Sequence, residues 1–465
     1  MNKKLLHLLL YIGFVGASLT ALLGSCQLGK PYARPQLGLP QQIDSMAGTD
    51  TSSIGDYAWE RIYADTTLQA LIRQTLEQNK DMHIAAAKVK EMAAMKRIDQ
   101  ANLFPEATAQ AAGKKEGTNY GGDNYKNSVE FDLKGSISWE LDLWGKLRWA
   151  RDKSLAEFIG SVENQRALRM TLVASVAQAY FELLALDNEL SIVRKTVDAR
   201  KESLHLAKLR YEGGLTSEVP YRQAQVELSR TTALMPDLER QIAIKESDIA
   251  FLTGGYPHHI HRESLPADVV LPESLPVGLP SSLLERRPDV RSAEQDLIAA
   301  HADVGVAFTG LFPTLSLTTT LGAESDALSN LLKSPYHLIS GGLVSPLFAM
   351  GKNRANLKAK KAAREQAVYA YEKAVQNAFK EAYDAIINFN KTKEIYDAQL
   401  RLEQASKSTL ELAQLQYING AIGYMDLLDA QRGYLDAQID LSNAVRDKQL
   451  SIVNLYKALG GGWKE

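Results

Sequence analysis

Two carboxylates in the last tenth of the sequence are the first candidates for chemistry. Asp426 and Asp429 lie in the segment GYMDLLDAQR, directly after Met425. A spacing of three residues places both acids on one side of a helix. Carboxylates held close together repel anions, attract cations and bind protons more tightly, because each charge opposes the ionisation of the other. The alternative is that these acids only interact favourably with the dipole of the helix that they begin.

Cys26 is the only cysteine and ends a segment typical of export signals. Lys3 and Lys4 precede the apolar run LLHLLLYIGFVGASLTALLGSC, and a basic start, an apolar middle and small final residues mark a secretory signal. LGSC resembles a bacterial lipobox, in which the cysteine becomes the lipidated first residue; a spanning anchor is the alternative. Gln27 follows the cysteine, where Asp often signals inner-membrane retention, so the segment favours the outer membrane.

A third group of reactive side chains is the segment HHIH, which contains His258, His259 and His261. It lies in a proline-rich stretch without cysteine or suitably spaced carboxylates, so we assign no metal site to it. A nucleophile elbow, a phosphate-binding loop and a zinc motif are all missing from the sequence. We therefore predict neither an enzyme nor a bound cofactor. The 53 basic and 55 acidic residues also argue against a nucleic-acid-binding protein.

The elements that position these residues occur twice, because the chain is an internal duplication. LAKLRYEGGLTSEVPYRQAQ starts at Leu206, and LAQLQYINGAIGYMDLLDAQ starts at Leu412, 206 positions later. Gly145 and Gly351, each followed by lysine, repeat the same shift. Such self-similarity indicates a repeated structural unit. Each half is predicted to contain a helix, two strands, a long helix and a further helix.

The repeat defines the predicted organisation of the chain. We expect a lipoprotein signal peptide (1–25), an extended lipidated segment (26–65), a first repeat (66–254), a linker (255–280), a second repeat (281–460) and a short tail (461–465).

The long helices carry the pattern of coiled coils. From Leu172 to Tyr211, apolar residues recur in alternating steps of four and three, with a single polar interruption at Arg200. The second half repeats this pattern from Val368 to Phe389. A period of 3.5 residues is typical of coiled coils. A helix from Trp144 to Tyr211 would be on the order of 100 Å long, which predicts a rod-like or tubular protein.

The strands have an inside-out pattern. VEFDLKGSISWELDLWGK, residues 129–146, alternates apolar and charged or polar side chains. The four candidate strands are Glu106–Lys114, Val129–Leu143, Thr314–Ala323 and Leu338–Leu347. The strand pattern of the last candidate is interrupted by Pro346, since proline cannot donate a hydrogen bond inside a sheet. A soluble sheet packed on the helices is one explanation of the alternation.

A membrane sheet is the other explanation. A bilayer accepts only closed barrels, and four strands are too few to close one. Several copies could close a shared barrel, with the apolar face towards lipid and the charged face towards a water-filled lumen. Trp139, Trp144 and Trp149 would then lie near the strand ends, where aromatic belts form at the membrane interface.

The chain resembles the TolC-like outer-membrane efflux factors, in the lipidated branch typified by OprM and NodT. The resemblance is carried by segments spread over nearly the whole mature chain, namely CQLGKPYARPQLGLP, SWELDLWGKLR, RRPDVRSAEQDL, RYEGGLTS, LLDAQR and the Phe-Pro pairs before the first and third strands. It implies a mostly α-helical fold, with a long antiparallel coiled-coil α-barrel and four transmembrane strands per chain. A homotrimer would then form one twelve-stranded barrel in the outer membrane of a Gram-negative bacterium.

The same resemblance implies a passive duct in a tripartite efflux system for drugs, metals or other small molecules. A periplasmic adaptor and an inner-membrane pump, of the RND type, would dock at its periplasmic end. A type I protein-secretion duct and a lipid-anchored periplasmic coiled-coil scaffold remain the alternatives.

Specific roles follow from matching positions in the family. Met425 is expected to be a steric plug at the periplasmic gate, with Asp426 and Asp429 as its charge ring. The first-half equivalents, Val219 and Gln223, lack charge, so only the second hairpin is expected to carry the gate. Some family members lock this turn with an arginine, and we predict no lock here because the chain has Ile422.

The resemblance also assigns adaptor contacts to the two turns between the long helices. These residues are Gly214, Leu215, Thr216, Ser217, Gly420, Ala421 and Ile422. The alternative is that the glycines only terminate helices.

Overall fold

A computed structural model describes residues 27–38, 53–119, 121, 125–262, 283–345 and 349–463. Cys26, the signal peptide and much of the predicted linker lie outside the described residues. The described helices are α1 (Trp59–Ile62), α2 (Thr66–Gln78), α3 (Lys80–Ala101), α4 (Lys146–Glu212), α5 (Val219–Leu252), α6 (Leu283–Arg286), α7 (Pro288–Thr309), α8 (Met350–Ile418) and α9 (Tyr424–Ala458). The strands are β1 (Glu106–Asn119), β2 (Tyr125–Leu141), β3 (Thr314–Ser325) and β4 (Pro335–Val344).

The two halves have the same element order, so the predicted duplication and fold class are confirmed. The series α3, β1, β2, α4 and α5 is matched by α7, β3, β4, α8 and α9. The long helices α4 and α8 have 67 and 69 residues. They are uninterrupted, as the lack of proline in both segments predicts.

The strand bounds differ from the prediction by up to five residues, and β4 is shifted as a whole. This strand starts three residues earlier than expected, at Pro335 rather than Leu338. Proline lacks an N–H group and is tolerated at the first residue of a strand, where no ladder hydrogen bond is lost. The described strand ends at Val344, and Pro346 lies outside the described residues. The other strands start or end within a few residues of expectation, and β1 is longer.

Chain contacts divide the protein into two compact units. The sheet unit comprises Met1–Leu37, Lys88–Val162 and Ser292–Glu372. The helical unit comprises Gly38–Ala87, Glu163–Arg291 and Lys373–Glu465.

The sheet unit contains one antiparallel sheet in the order β1-β2-β3-β4. Its register places Ile137 beside Ala107 on one side and Thr319 on the other. Because directly paired residues share a face, one face collects the apolar residues Ala107, Ala109, Ala111, Phe131, Leu133, Ile137, Leu317, Leu321, Ile339 and Leu343. The other face collects the polar residues Thr108, Gln110, Lys114, Glu130, Asp132, Lys134, Ser136, Thr318 and Thr320.

The apolar face is exposed rather than packed on helices. Leu321, Ile339 and Leu343 are 68%, 79% and 69% exposed. This placement contradicts the alternative of a soluble sheet whose apolar side is covered by the helices of its own chain. Among the described residues, strands β1 and β4 also pair on one side only, so each presents an open edge.

The helical unit has a conventional buried core. Leu68 and Ile72 of α2 pack in one cluster with Tyr180 and Leu183 of α4 and with Tyr456 of α9. The most apolar stretch of α4 is long and apolar enough to span a bilayer by composition, but 67% of it is buried in the protein. We therefore assign this stretch to the core. Most of the predicted seam of α4, including Val176, Leu183 and Val193, is buried, whereas its last residue, Tyr211, is 39% exposed.

Two glycines in helix interiors provide a test of packing in the two units. A Cβ on Gly305 of α7 would lie 2.3 Å from the Trp149 ring, whereas a Cβ on Gly433 of α9 would have no contact within 4 Å. We expect Gly305→Ala to lower the stability by about 2 kcal/mol through overpacking. Gly433→Ala should raise it by about 0.5–1 kcal/mol, because alanine is the better helix former. Thermal unfolding of both variants in detergent measures the difference, and equal melting temperatures would contradict the packing described.

Candidate functional site

Two helix-terminating turns present the predicted partner-contact residues. The first tip turn, residues 214–217, joins α4 to α5, and the second tip turn, residues 420–422, joins α8 to α9. Leu215 N–H donates to the carbonyl of Arg210, and Ala421 N–H donates to that of Gln416, both at 2.8 Å. This bond closes a Schellman motif. The motif requires a residue with a left-handed backbone conformation directly before Leu215 and Ala421. Gly214 and Gly420 occupy these positions, with φ of +72° and +73°.

The second tip turn leads directly into the predicted gate residues. Met425 is 53% exposed, and Asp426 and Asp429 are also exposed on the first turns of α9. The opposite side of the same turns is buried through Tyr424 and Leu428. The packed side fixes the helix rotation, and the two carboxylates therefore share one solvent-facing surface.

Asp426 also has a local structural task. Its Oδ2 accepts a hydrogen bond of 3.0 Å from the backbone N–H of Gly423, which lies at the start of α9. A carboxylate that caps a helix start stabilises the exposed N–H groups there. This hydrogen bond agrees with the alternative role of the acid at the helix start, and the Asp426 residue is exposed.

The acidic surface extends beyond the two predicted residues. Asp436 and Asp440 continue the series of Asp426 and Asp429 at steps of three or four residues, with Gly433 at the intervening position. All five positions are exposed. We call Asp426, Asp429, Asp436 and Asp440 the acidic stripe. The heptad spacing that identified the buried seam of α4 would also have identified this stripe.

A buried ion cluster lies two helical turns from the gate residues. Arg200 Nη1 of α4 donates to Glu227 Oε2 of α5 at 2.8 Å, and both side chains are at most 5% exposed. Arg432 of α9 forms an ion pair with the other carboxylate oxygen. The hydrogen bond from Arg432 lowers the pKa of Glu227 and outweighs the opposing effect of burial. One carboxylate thus joins three helices.

Sequence reasoning recognised Arg200 only as a polar interruption and assigned no role to Glu227 or Arg432. The reason is physical: a buried arginine in a seam must find an anion, but the sequence does not show which helix supplies it. The structure shows that this anion belongs to α5 and that a second arginine comes from the other half of the chain.

A smaller contact beside the two tip turns combines a hydrogen bond with aromatic packing. Arg210 Nη1 donates to the Tyr417 carbonyl at 2.9 Å, and its guanidinium lies 4.7 Å from the centre of the Tyr417 ring. That ring meets Tyr424 edge-on at 5.8 Å. Burial raises the pKa of Tyr424 to about 12. These contacts fix the end of α4 to the end of α8 and the start of α9.

The three tryptophans predicted at the membrane interface differ in exposure. Trp139 and Trp144 are partly buried, and their indole N–H groups donate to the carbonyls of Leu103 and Pro313 at 3.0 and 2.7 Å. Trp149 is 7% exposed and donates to the Leu28 carbonyl at 2.9 Å. Trp149 is thus packed inside the sheet unit. It lies on helix α4, so the alternation of strand β2 gives no information about its exposure.

The histidine segment shows no metal geometry. His259 Nδ1 lies 2.7 Å from Glu246 Oε1, and His258 Nδ1 lies 2.9 Å from the Tyr256 carbonyl. Within the described residues, no group of three or more His, Cys, Asp or Glu side chains is placed to hold a metal ion.

Comparisons with known proteins extend over nearly the whole chain. The family model described as "Outer membrane efflux protein" matches residues 71–255 and 279–461. The cation efflux system protein CusC of Escherichia coli O6:H1 (strain CFT073) is 30% identical over 453 residues, which are 95% of this chain and 97% of CusC. The probable efflux pump outer membrane protein TtgC of Pseudomonas putida KT2440 is 30% identical over 491 residues, which cover 100% of this chain and 97% of TtgC.

Solved structures agree with these relatives. The outer-membrane channel OprN is 30% identical and superposes with a TM-score of 0.88, covering 94% of this chain and all of that one. A structure of CusC is 29% identical, with a TM-score of 0.85 and the same two coverages. The exposed apolar sheet and the two long helices are therefore features of an outer-membrane efflux channel, and the chain belongs to the outer membrane efflux protein family.

Proposed function

We propose that three copies of the chain form one trimeric efflux duct. Three four-stranded sheets would close a twelve-stranded barrel in the outer membrane, and the long helices would continue the duct through the periplasm. The observation that carries the proposal is the four-stranded sheet with an exposed apolar face and two open edges. Open strand edges are not tolerated in lipid, so neighbouring copies must pair β4 with β1.

The duct is passive and carries small molecules. Relatives of similar identity include a cation efflux protein and an efflux pump protein named for toluene, so identity alone favours neither metals nor drugs. Cys26 would carry the lipid anchor. The two tip turns would contact a periplasmic adaptor, and an inner-membrane pump of the RND type would supply the energy.

The gate would lie at the start of α9. Met425 would narrow the opening, and Asp426 and Asp429 of three copies would form a ring of six carboxylates. A ring of this kind favours cations. Asp436 and Asp440, the rest of the acidic stripe, would extend the negative electrostatic potential along α9. The ion cluster of Arg200, Glu227 and Arg432 would hold α9 against α4 and α5 and so limit the opening.

Two other functions are less well supported. A periplasmic scaffold without a channel gives no reason for an apolar sheet face that its own chain leaves uncovered. A type I protein-secretion duct would use the same fold, but the relatives named above belong to efflux systems for small molecules. Secretion is therefore kept as the second candidate.

The trimer is tested with a pair of arginine substitutions on adjacent residues of β2. Ile137 is 50% exposed on the apolar face, and Ser138 points to the opposite face. We expect Ile137→Arg to cost about 2–4 kcal/mol per chain if Ile137 meets lipid near the membrane centre. Ser138→Arg should be tolerated in a watery lumen.

The measurement is the amount of heat-dissociable trimer in the outer membrane and its conductance in an artificial bilayer. Equal insertion of both variants would reject the assignment of the faces. A wild-type protein that stays monomeric and never conducts would reject the duct itself.

The charge ring is tested by neutralising both acids. Asp426→Asn/Asp429→Asn should shift the reversal potential in a salt gradient towards a non-selective channel, because the ring loses its negative charge. Asparagine also caps helices, so the contact with Gly423 is retained. The control is Asp198→Asn, which removes an exposed acid paired with Lys201. An unchanged cation preference in the double variant would remove these residues from the mechanism.

The ion cluster is tested with Glu227→Gln. Removing one partner of a buried ion pair leaves an uncompensated charge and costs about 3 kcal/mol. We expect lower thermal stability and more frequent high-conductance states as α9 loosens. The control is Glu239→Gln, since Glu239 pairs with Arg194 on the surface and such pairs contribute less than about 1 kcal/mol.

The pH dependence of stability checks the same assignment. A carboxylate with a lowered folded-state pKa stabilises the protein above its ordinary pKa, and this stabilisation is lost as the pH falls through the lowered value. In the wild-type protein, the contribution of Glu227 to the free energy of unfolding should therefore be lost below about pH 4. The Glu227→Gln variant should not show this loss of stability. Identical acid profiles and identical conductance in the two proteins would contradict the role of the cluster.

A further inference from the structure

A cavity of about 550 Å³ lies in the sheet unit beside the first described residues. Its walls come from α4, α7 and residues 27–32. The apolar part of the wall is formed by Trp149, Leu155, Ala156, Ile159, Ile298 and Ala302. Neither the predicted gate nor the tip turns reach this cavity, so the efflux function described above leaves it unexplained.

Several polar groups of the cavity wall have hydrogen-bond partners, whereas the buried Nδ1 of His301 has none among the described residues. Asp152 accepts hydrogen bonds from the side chains of Gln27 and Arg151, and His301 Nε2 lies 2.9 Å from the Lys30 carbonyl. The apolar wall, in contrast, is partly open. Leu155 is 39% exposed although it stands beside the buried Ala156. The cavity is thus suited to an apolar ligand, because its binding would remove the exposed apolar wall from water.

The position of the amino-terminal segment indicates where such a ligand comes from. Gln27 lines the cavity and is held there by three contacts of its segment. Its Nε2 donates to Asp152 Oδ2 at 3.3 Å, Leu28 N–H donates to the Trp144 carbonyl at 3.1 Å, and Trp149 Nε1 donates to the Leu28 carbonyl. Adjacent Cα atoms lie about 3.8 Å apart. Cys26 precedes Gln27 directly in the sequence and lies outside the described residues, so a lipid on its side chain would be attached one residue from the cavity wall.

We propose that one acyl chain of the lipid on Cys26 lies in this cavity, while the remaining lipid enters the bilayer. The inference rests on the lipoprotein part of the proposed function. One water molecule occupies about 30 Å³ in the liquid, and a methylene group is of similar size. The cavity of about 550 Å³ therefore has room for roughly 18 such groups. One long acyl chain fits this space. A chain held there would fix the anchor against the start of α4, directly below the last residues of β2.

A photoreactive fatty acid tests the proposal on the wild-type protein. Cells that express the full chain are fed a diazirine-bearing fatty acid, the membranes are irradiated, and the purified protein is digested and sequenced by mass spectrometry. We expect cross-links from Cys26 to peptides that contain residues 149–159 or 295–302. Cross-links from Cys26 to phospholipid alone would overturn the proposal, because all acyl chains would then lie in the bilayer.

The experiment separates this inference from the proposed function. If no fatty acid is found on Cys26, both the lipoprotein assignment and the cavity occupant are wrong, and the conductance of the same sample still tests the duct. If Cys26 is labelled and the channel conducts, but the two helices are not cross-linked, only the cavity proposal fails.

Thiol protection gives an independent measurement. Cys26 is the only cysteine, and lipidation blocks it, so Leu155→Cys introduces the only free thiol. We expect its alkylation by an apolar maleimide to be about tenfold slower than in a non-lipidated form, since reactivity follows exposure. That form has Cys26→Ser behind a cleavable signal peptide. Met95→Cys, at a 49% exposed position of α3, is the control and should react equally in both forms. Equal rates at position 155 in the two forms would reject the acyl chain as the occupant.

Discussion

Backbone hydrogen bonding in the sheet is the constraint on which the rest of the structure depends. Four antiparallel strands place their apolar side chains on one exposed face and leave two edges without partners in the described chain. In water such a surface is a liability, and in lipid an unpaired edge costs several kcal/mol for each polar group. Both problems disappear together when copies of the sheet join edge to edge and the apolar face meets lipid. Assembly is then a requirement of the strands themselves.

The duplication explains how one chain supplies a balanced part of such an assembly. Each half contributes two strands and a helix of nearly 70 residues, and the equivalent turns are closed by the same hydrogen bonds around Gly214 and Gly420. The halves then diverge where function requires it. The second half carries the exposed acids of α9, while the first half carries Glu227, which is buried between two arginines. Similar backbones thus support one charged surface and one internal ion cluster.

Much of this architecture could be predicted from the sequence, since periodicity reports directly on local structure. The two-residue alternation of β2 and the 3.5-residue seam of α4 identified both elements nearly to their ends. The sequence was less informative about contacts between distant segments. Nothing in it pairs Arg200 with Glu227, because a helix seam shows that a partner is needed but not where it lies. The burial of Trp149 could not be predicted for a related reason: an aromatic residue near a strand end suggests an interface, and only the packing of α7 and residues 27–29 shows that its ring is buried.

The ion cluster and the acidic stripe are best understood together. Repulsion among carboxylates that converge in a trimer would push the starts of α9 apart, because like charges destabilise a compact arrangement. A compensating attraction must therefore act on the same helix. Arg432, two turns along α9, supplies it by pairing with Glu227 of α5, and Glu227 also pairs with Arg200 of α4. In the proposed gate both forces would act on one helix, so a modest change in either would shift the equilibrium between the closed and open states. A buried attraction is little affected by salt, whereas exposed repulsion is screened. The closed state of the proposed gate should therefore become more stable relative to the open state as the ionic strength rises.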